Sequence, residues 1–129
     1  MYYAQAWPEF DARVKYFRTR LPDHPLWVIL EGISEARKGN REQAMRVDSL
    51  LQEMSKPQGD KLYGKRPIPL TYFQRARIAA FLGDRDRAIK LLTEAYAHRL
   101  RYNIYDHSDP AFASIRNDPR YVSLMASRD

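Results

Sequence analysis

The strongest constraint in this sequence is that it repeats itself: residues 25–54 lie over residues 69–98 at an offset of 44 positions. In that register Pro25-Leu26 falls on Pro69-Leu70, Ala36 on Ala80, Gly39 on Gly83, Arg41 on Arg85 and Ala44 on Ala88. The identities sit where a helix would start, turn or pack closely, so the chain reads as two helix–turn–helix units.

In the second unit Tyr72, Ala76, Ala79 and Leu82 recur at helical spacing, and beyond Gly83-Asp84 so do Ala88, Leu92, Ala95 and Arg99. Gly83 suits the left-handed position that ends a helix, and Asp84 is a residue type that accepts hydrogen bonds from the first free N–H groups of the next one. The first unit follows the same logic with Leu26, Ile29, Leu30, Ile33 and Ala36 before Gly39, then Ala44, Val47, Leu51 and Met54. There Asn40 and Gln43 have the spacing of a capping box.

Between the units, residues 55–68 form a Pro/Gly-rich connection in which a continuous helix is not expected. Upstream, Phe10, Val14, Phe17 and Leu21 predict an apolar face on a helix over 8–21, with Pro8 in its first turn. Downstream, Asp109-Pro110 and Asp118-Pro119 each pair a capping residue with a proline tolerated at the first helical position, predicting two short helices over 109–127. The expected fold is therefore all-α, a single domain of antiparallel helical hairpins over residues 1–129.

From Pro69 to Tyr102 the positions of Tyr72, Ala76, Ala79, Gly83, Asp84, Ala88, Leu92 and Ala95 resemble a tetratricopeptide repeat. Residues 25–54 resemble a degenerate copy, with Asp48 where the second unit has Leu92 and Leu51 where it has Ala95. The 44-residue period exceeds the family's about 34, with the surplus in the Pro/Gly connection. The resemblance implies an α-α superhelix with two short C-terminal capping helices, and residues 8–21 as either a partial repeat or a capping helix. Phe112, Ile115, Tyr121, Val122 and Leu124 would cover the last hairpin.

The resemblance further implies a protein or peptide partner held on the concave face, which maps to Ile29, Ile33 and Arg37 in the first unit and to Phe73, Arg77 and Phe81 in the second. Two guanidinium groups beside an apolar groove would suit a segment with an acidic group. The tail is similar to that of bacterial regulators in which such repeats follow a winged-helix, cyclase or kinase domain. The chain would then be the docking or sensing part of a larger regulatory protein, in the cytoplasm by default. An exposed hairpin face would also let two copies associate.

Chemistry finds little support. With no Cys, thiolate metal and redox chemistry are excluded. His24, His98 and His107 fit no metal-ligand spacing, and no cofactor motif is present. Tyr105-Asp106-His107-Ser108-Asp109 gathers acid, base and hydroxyl types, but neighbours in sequence seldom converge as a triad, and the segment reads as a turn and helix cap. The loop around Lys61 and Lys65 lacks the Gly-Lys-Ser/Thr ending of a phosphate-binding loop.

The net charge of +6 favours encounter with acidic partners. Arg13, Lys15, Tyr16, Phe17, Arg18 and Arg20 interleave cations with aromatics, as do Arg99, Arg101, Tyr102 and Tyr105, so an accessory nucleic-acid-binding face is the alternative reading. Reversal of charge at Arg13, Arg18 and Arg20 would test it. The longest apolar runs, Leu26-Trp27-Val28-Ile29-Leu30 and Ile78-Ala79-Ala80-Phe81-Leu82, are far short of the ~20 residues needed to span a bilayer.

Overall fold

The computed structural model describes residues 7–22, 24–54, 68–97 and 109–126. Every regular element among them is helical: α1 (Trp7–Arg20), α2 (Pro25–Arg37), α3 (Arg41–Met54), α4 (Ile68–Phe81), α5 (Arg85–Ala97), a 3-10 helix (Pro110–Ile115) and α6 (Pro119–Ala126). The fold is all-α. Residues 55–67 of the expected connection, and the end of the second unit beyond Ala97, lie outside the described residues.

Both hairpin turns are built alike. Gly39 and Gly83 have φ of 83° and 82°, a conformation that a Cβ would strain. Behind each glycine the chain closes the same bonds: Asn40 N–H donates to the Glu35 carbonyl and Asp84 N–H to the Ala79 carbonyl. The next helix then starts with Ala44 N–H on the Asn40 carbonyl and Ala88 N–H on the Asp84 carbonyl. The anticipated capping box does not form, because Gln43 donates across the hairpin to Glu31 (3.3 Å) and the Asn40 amide donates to Glu35.

One apolar cluster joins α2 and α3 through Val28, Ile33, Ala36, Ala44, Val47 and Leu51, with Ile78 reaching in from α4. Gly32 permits this closeness, since a Cβ there would stand 2.7 Å from Val47 Cβ. A second cluster joins α4, α5 and the tail through Ala76, Ala79, Ala88, Leu92, Ala95, Phe112, Ile115, Tyr121 and Met125. The small residues let the paired helices approach, and the tail buries what would otherwise be an exposed apolar end. Of the residues expected to cap, Val122 is instead exposed and Met125 takes the buried place.

Charged residues fasten hairpin to hairpin. Asp48 on α3 is buried and accepts from Arg75 on α4 (Nε to Oδ1, 3.0 Å) and from Arg87 on α5. Arg41, first residue of α3, makes a two-pronged contact with Asp84 at the start of α5 (2.9 Å each). Its counterpart Arg85, first residue of α5, faces Asp118 at the start of α6 (3.9 Å). The same Arg-to-cap contact thus recurs from each unit to the next, and Pro119 stands where a third Arg would have been.

The helix α1 is attached differently. Neither apolar cluster includes any of its residues, and Val14 is its buried side chain. Phe10 and Phe17 are half-buried and Leu21 is 43% exposed, so the anticipated apolar face is only partly covered.

Candidate docking face

The six residues expected to line a partner-binding groove lie on α2 and α4, which pack side by side. They do not form an open groove. Ile33 is fully buried in the α2/α3 cluster, and Ile29 is half-buried against it. Phe73 and Arg77 are buried at 9% and 5% exposure, while Arg37 and Phe81 are half-buried.

What covers the polar and aromatic members is the chain itself. At one end, Asp11 of α1 pairs with the Arg37 guanidinium and accepts from Ser34 Oγ (2.6 Å). Trp7, one helical turn before Asp11, lies under the same guanidinium (4.6 Å to the ring centroid) and meets Phe81 edge-on (5.8 Å). At the other end, Asp109 pairs with the Arg77 guanidinium (3.1 Å), and Phe112 meets Phe73 edge-on (5.6 Å). Arg77 is further steadied by Gln74 (3.0 Å).

The face therefore has two stations of one chemistry, each an arginine with a phenylalanine ring. Each is occupied by a carboxylate and an aromatic ring three or four residues apart on a helical turn: Trp7 with Asp11, and Asp109 with Phe112. Paired charge and edge-on ring contacts give such stations both orientation and affinity. No local sequence pattern announces that the groove is filled, because its occupants Asp11 and Asp109 lie 26 and 32 residues away from Arg37 and Arg77. The Asp109 capping role was legible: its carboxylate also accepts from Ala111 N–H (2.9 Å).

The two stations are closed to different degrees. Arg77 and Asp109 are 6% and 10% exposed in their side chains, whereas Arg37 and Asp11 are 22% and 24% exposed. Beside the second pair, a cleft of about 550 Å³ opens between α1 and α2, lined by Asp11, Lys15, Arg18, Glu31, Ser34 and Lys38 among others. Arg18 crosses its edge to Glu31 (3.3 Å), so it is not part of the outward basic face anticipated for α1. Arg13, Lys15, Tyr16 and Arg20 do face outward, with the Arg20 guanidinium over the Tyr16 ring at 3.6 Å.

Two carboxylates at the unit junctions are held below the usual carboxylate range. Asp84 is lowered first by its hydrogen bonds from Arg41, and Asp118 by those from the Arg120 side chain and then its backbone N–H. These are structural contacts at helix starts, away from the Arg37 and Arg77 stations.

Among the described residues no cluster of His, Asp and Glu could hold a metal ion, and no helix is long and apolar enough to cross a membrane. His98, His107, Lys61, Lys65 and the Arg99–Tyr105 run lie outside the described residues. No family model, curated protein or solved structure matches this chain.

Proposed function

We propose that this chain is a non-catalytic protein-interaction module of tetratricopeptide-like hairpins, the docking or sensing part of a larger regulatory protein. Its α2/α4 face would take protein segments that carry an aromatic ring and a carboxylate about one helical turn apart. The observation that carries this reading is the double occupancy of the face, in which Arg37 with Phe81 and Arg77 with Phe73 each hold such a pair from the same chain. Two recurring hairpin turns and the Arg-to-cap contacts between units support a rigid scaffold on which that face is displayed.

Selection of helical peptides from a random library on the immobilised full chain tests it. Peptides with an aromatic residue and Asp or Glu three or four positions apart are expected to be enriched, and Arg37→Ala should abolish their enrichment. Enriched peptides that lack the pattern, or that bind Arg37→Ala equally well, would refute the reading.

A second reading rests on the outward Arg13, Lys15 and Arg20 around Tyr16, which suit a nucleic-acid backbone. Retention on single-stranded RNA or DNA at low salt, lost in Arg13→Glu/Lys15→Glu, would favour it. No retention at low salt would dispose of it.

A further inference from the structure

We propose that α1 is a releasable occupant of the Arg37/Phe81 station, and that a partner helix presenting an aromatic ring and a carboxylate four residues apart binds by displacing it. This rests on the reading of the α2/α4 face given above and adds to it how access is regulated.

Three observations separate α1 from the rest of the molecule. It supplies no residue to either apolar cluster, so detaching it removes no side chain from either hairpin core, although it uncovers Phe81 at the edge of one. Its anchors are one buried apolar side chain, Val14, together with half-buried ion pairs and aromatic contacts: Asp11 on Arg37 and Ser34, Arg18 on Glu31, Trp7 on Phe81 and Arg37, and Phe17 stacked on Trp27 at 4.3 Å. Finally, the cleft lined by charged side chains runs along its seam with α2. Elements with few buried apolar contacts open below the global unfolding free energy, and half-exposed ion pairs weaken as salt rises.

The tail station contrasts with it. Asp109 and Phe112 belong to a segment whose Phe112, Ile115, Tyr121 and Met125 are part of the main apolar cluster. Releasing it would expose that core, so the tail is a permanent occupant and α1 the exchangeable one. The nature of the incoming segment follows from what it must replace: a ring to sit between Arg37 and Phe81, and, one turn later, a carboxylate for Arg37 and Ser34. For as long as α1 is seated, the apparent affinity of a competitor is reduced by the fraction of molecules in which the station is open.

Hydrogen exchange on the full chain, at low and high salt, reads the release without any ligand. Backbone amides of Trp7–Arg20 are expected to exchange faster than those of α4 and α5, and faster still at high salt or in Trp7→Ala/Asp11→Asn. The melting of that variant by circular dichroism should stay cooperative. Exchange of α1 only together with α4 and α5 would overturn the proposal whatever the library peptides do.

The second arm uses a synthetic peptide of residues 7–20 as the competitor. It is expected to bind the full-chain Trp7→Ala/Asp11→Asn variant at least tenfold tighter than the unsubstituted chain, and to lose that binding when Arg37→Ala is added. Opening of α1 without tighter peptide binding would overturn the displacement step and count against the docking face itself. Stable dimers of the unsubstituted chain that exchange α1 between copies would overturn the proposal in favour of a second copy as the occupant.

Discussion

The carboxylate of Asp48 and the guanidinium of Arg75 meet face to face in the interior, 3.0 Å apart at their closest atoms, with side chains only 3% and 9% exposed. This pair, joined by Arg87, links α3 to both helices of the next hairpin. Removing one member of a buried pair strands the other's charge, which costs about 3–5 kcal/mol, whereas replacing both with apolar side chains is often neutral. Urea unfolding of Asp48→Leu should therefore show a loss of that size. Asp48→Leu/Arg75→Met should recover most of it, with Arg87 turning toward solvent. Equal stability loss in the single and double variants would contradict this assignment.

Gly32 is required for the approach of α2 to α3. In a helix, Gly→Ala ordinarily gains about 1 kcal/mol, but here the added methyl would stand 2.5 Å from Val47 Cγ1 and 2.7 Å from Val47 Cβ. Because the Val47 Cβ is fixed to the α3 backbone, no rotamer change relieves the clash and the helices must separate. Gly32→Ala is expected to lose about 1–2 kcal/mol net. A stabilised variant in thermal melts would show that the close approach is absent.

Ala88 is fully buried where α4 and α5 face each other. Ala88→Arg adds both volume and an unpaired charge there, and should cost about 3 kcal/mol or more, a fall in Tm on the order of 10 °C. A melt by circular dichroism that superimposes on the unsubstituted chain would place Ala88 on the wrong face.

Acid should weaken the α3/α5 junction at Asp84 and the start of α6 at Asp118. The folded-state pKa values of Asp84 and Asp118 lie below the unfolded carboxylate range. Each therefore stabilises the fold above about pH 4 to 5, and that contribution fades as pH falls through the lowered folded value. Urea midpoints should decline below about pH 4, and the decline should be shallower in Arg41→Gln, which lacks the contact that lowers Asp84. Identical pH profiles for the two proteins would contradict the coupling.

Much of this architecture is legible in the sequence, and the residues show where legibility stops. Gly39 and Gly83 mark their turns because few residues other than glycine adopt positive φ without strain, and Asp109 and Asp118 mark helix starts because their caps are local. The departure at Asp48 is visible in the repeat register, but its meaning depends on Arg75, 27 residues away and on another helix. Arg77 reads from the repeat register as a cation at the edge of a groove and Arg75 carries no local signal, yet both are buried by partners that no local pattern announces. The face on α2 and α4 was likewise readable as a surface of arginine and aromatic residues, whereas its filling by α1 and the tail is a tertiary event.

Charge exchange across the Arg37 station tests the docking face most directly. A library-selected peptide is titrated against the full chain and against Arg37→Glu, and then its carboxylate is replaced by Arg and both titrations are repeated. The account predicts that Arg37→Glu abolishes binding of the acidic peptide and that the Arg-bearing peptide binds Arg37→Glu but not the unsubstituted chain. Binding of the acidic peptide that is unaffected by Arg37→Glu, or a loss that the exchanged charge does not restore, would contradict it.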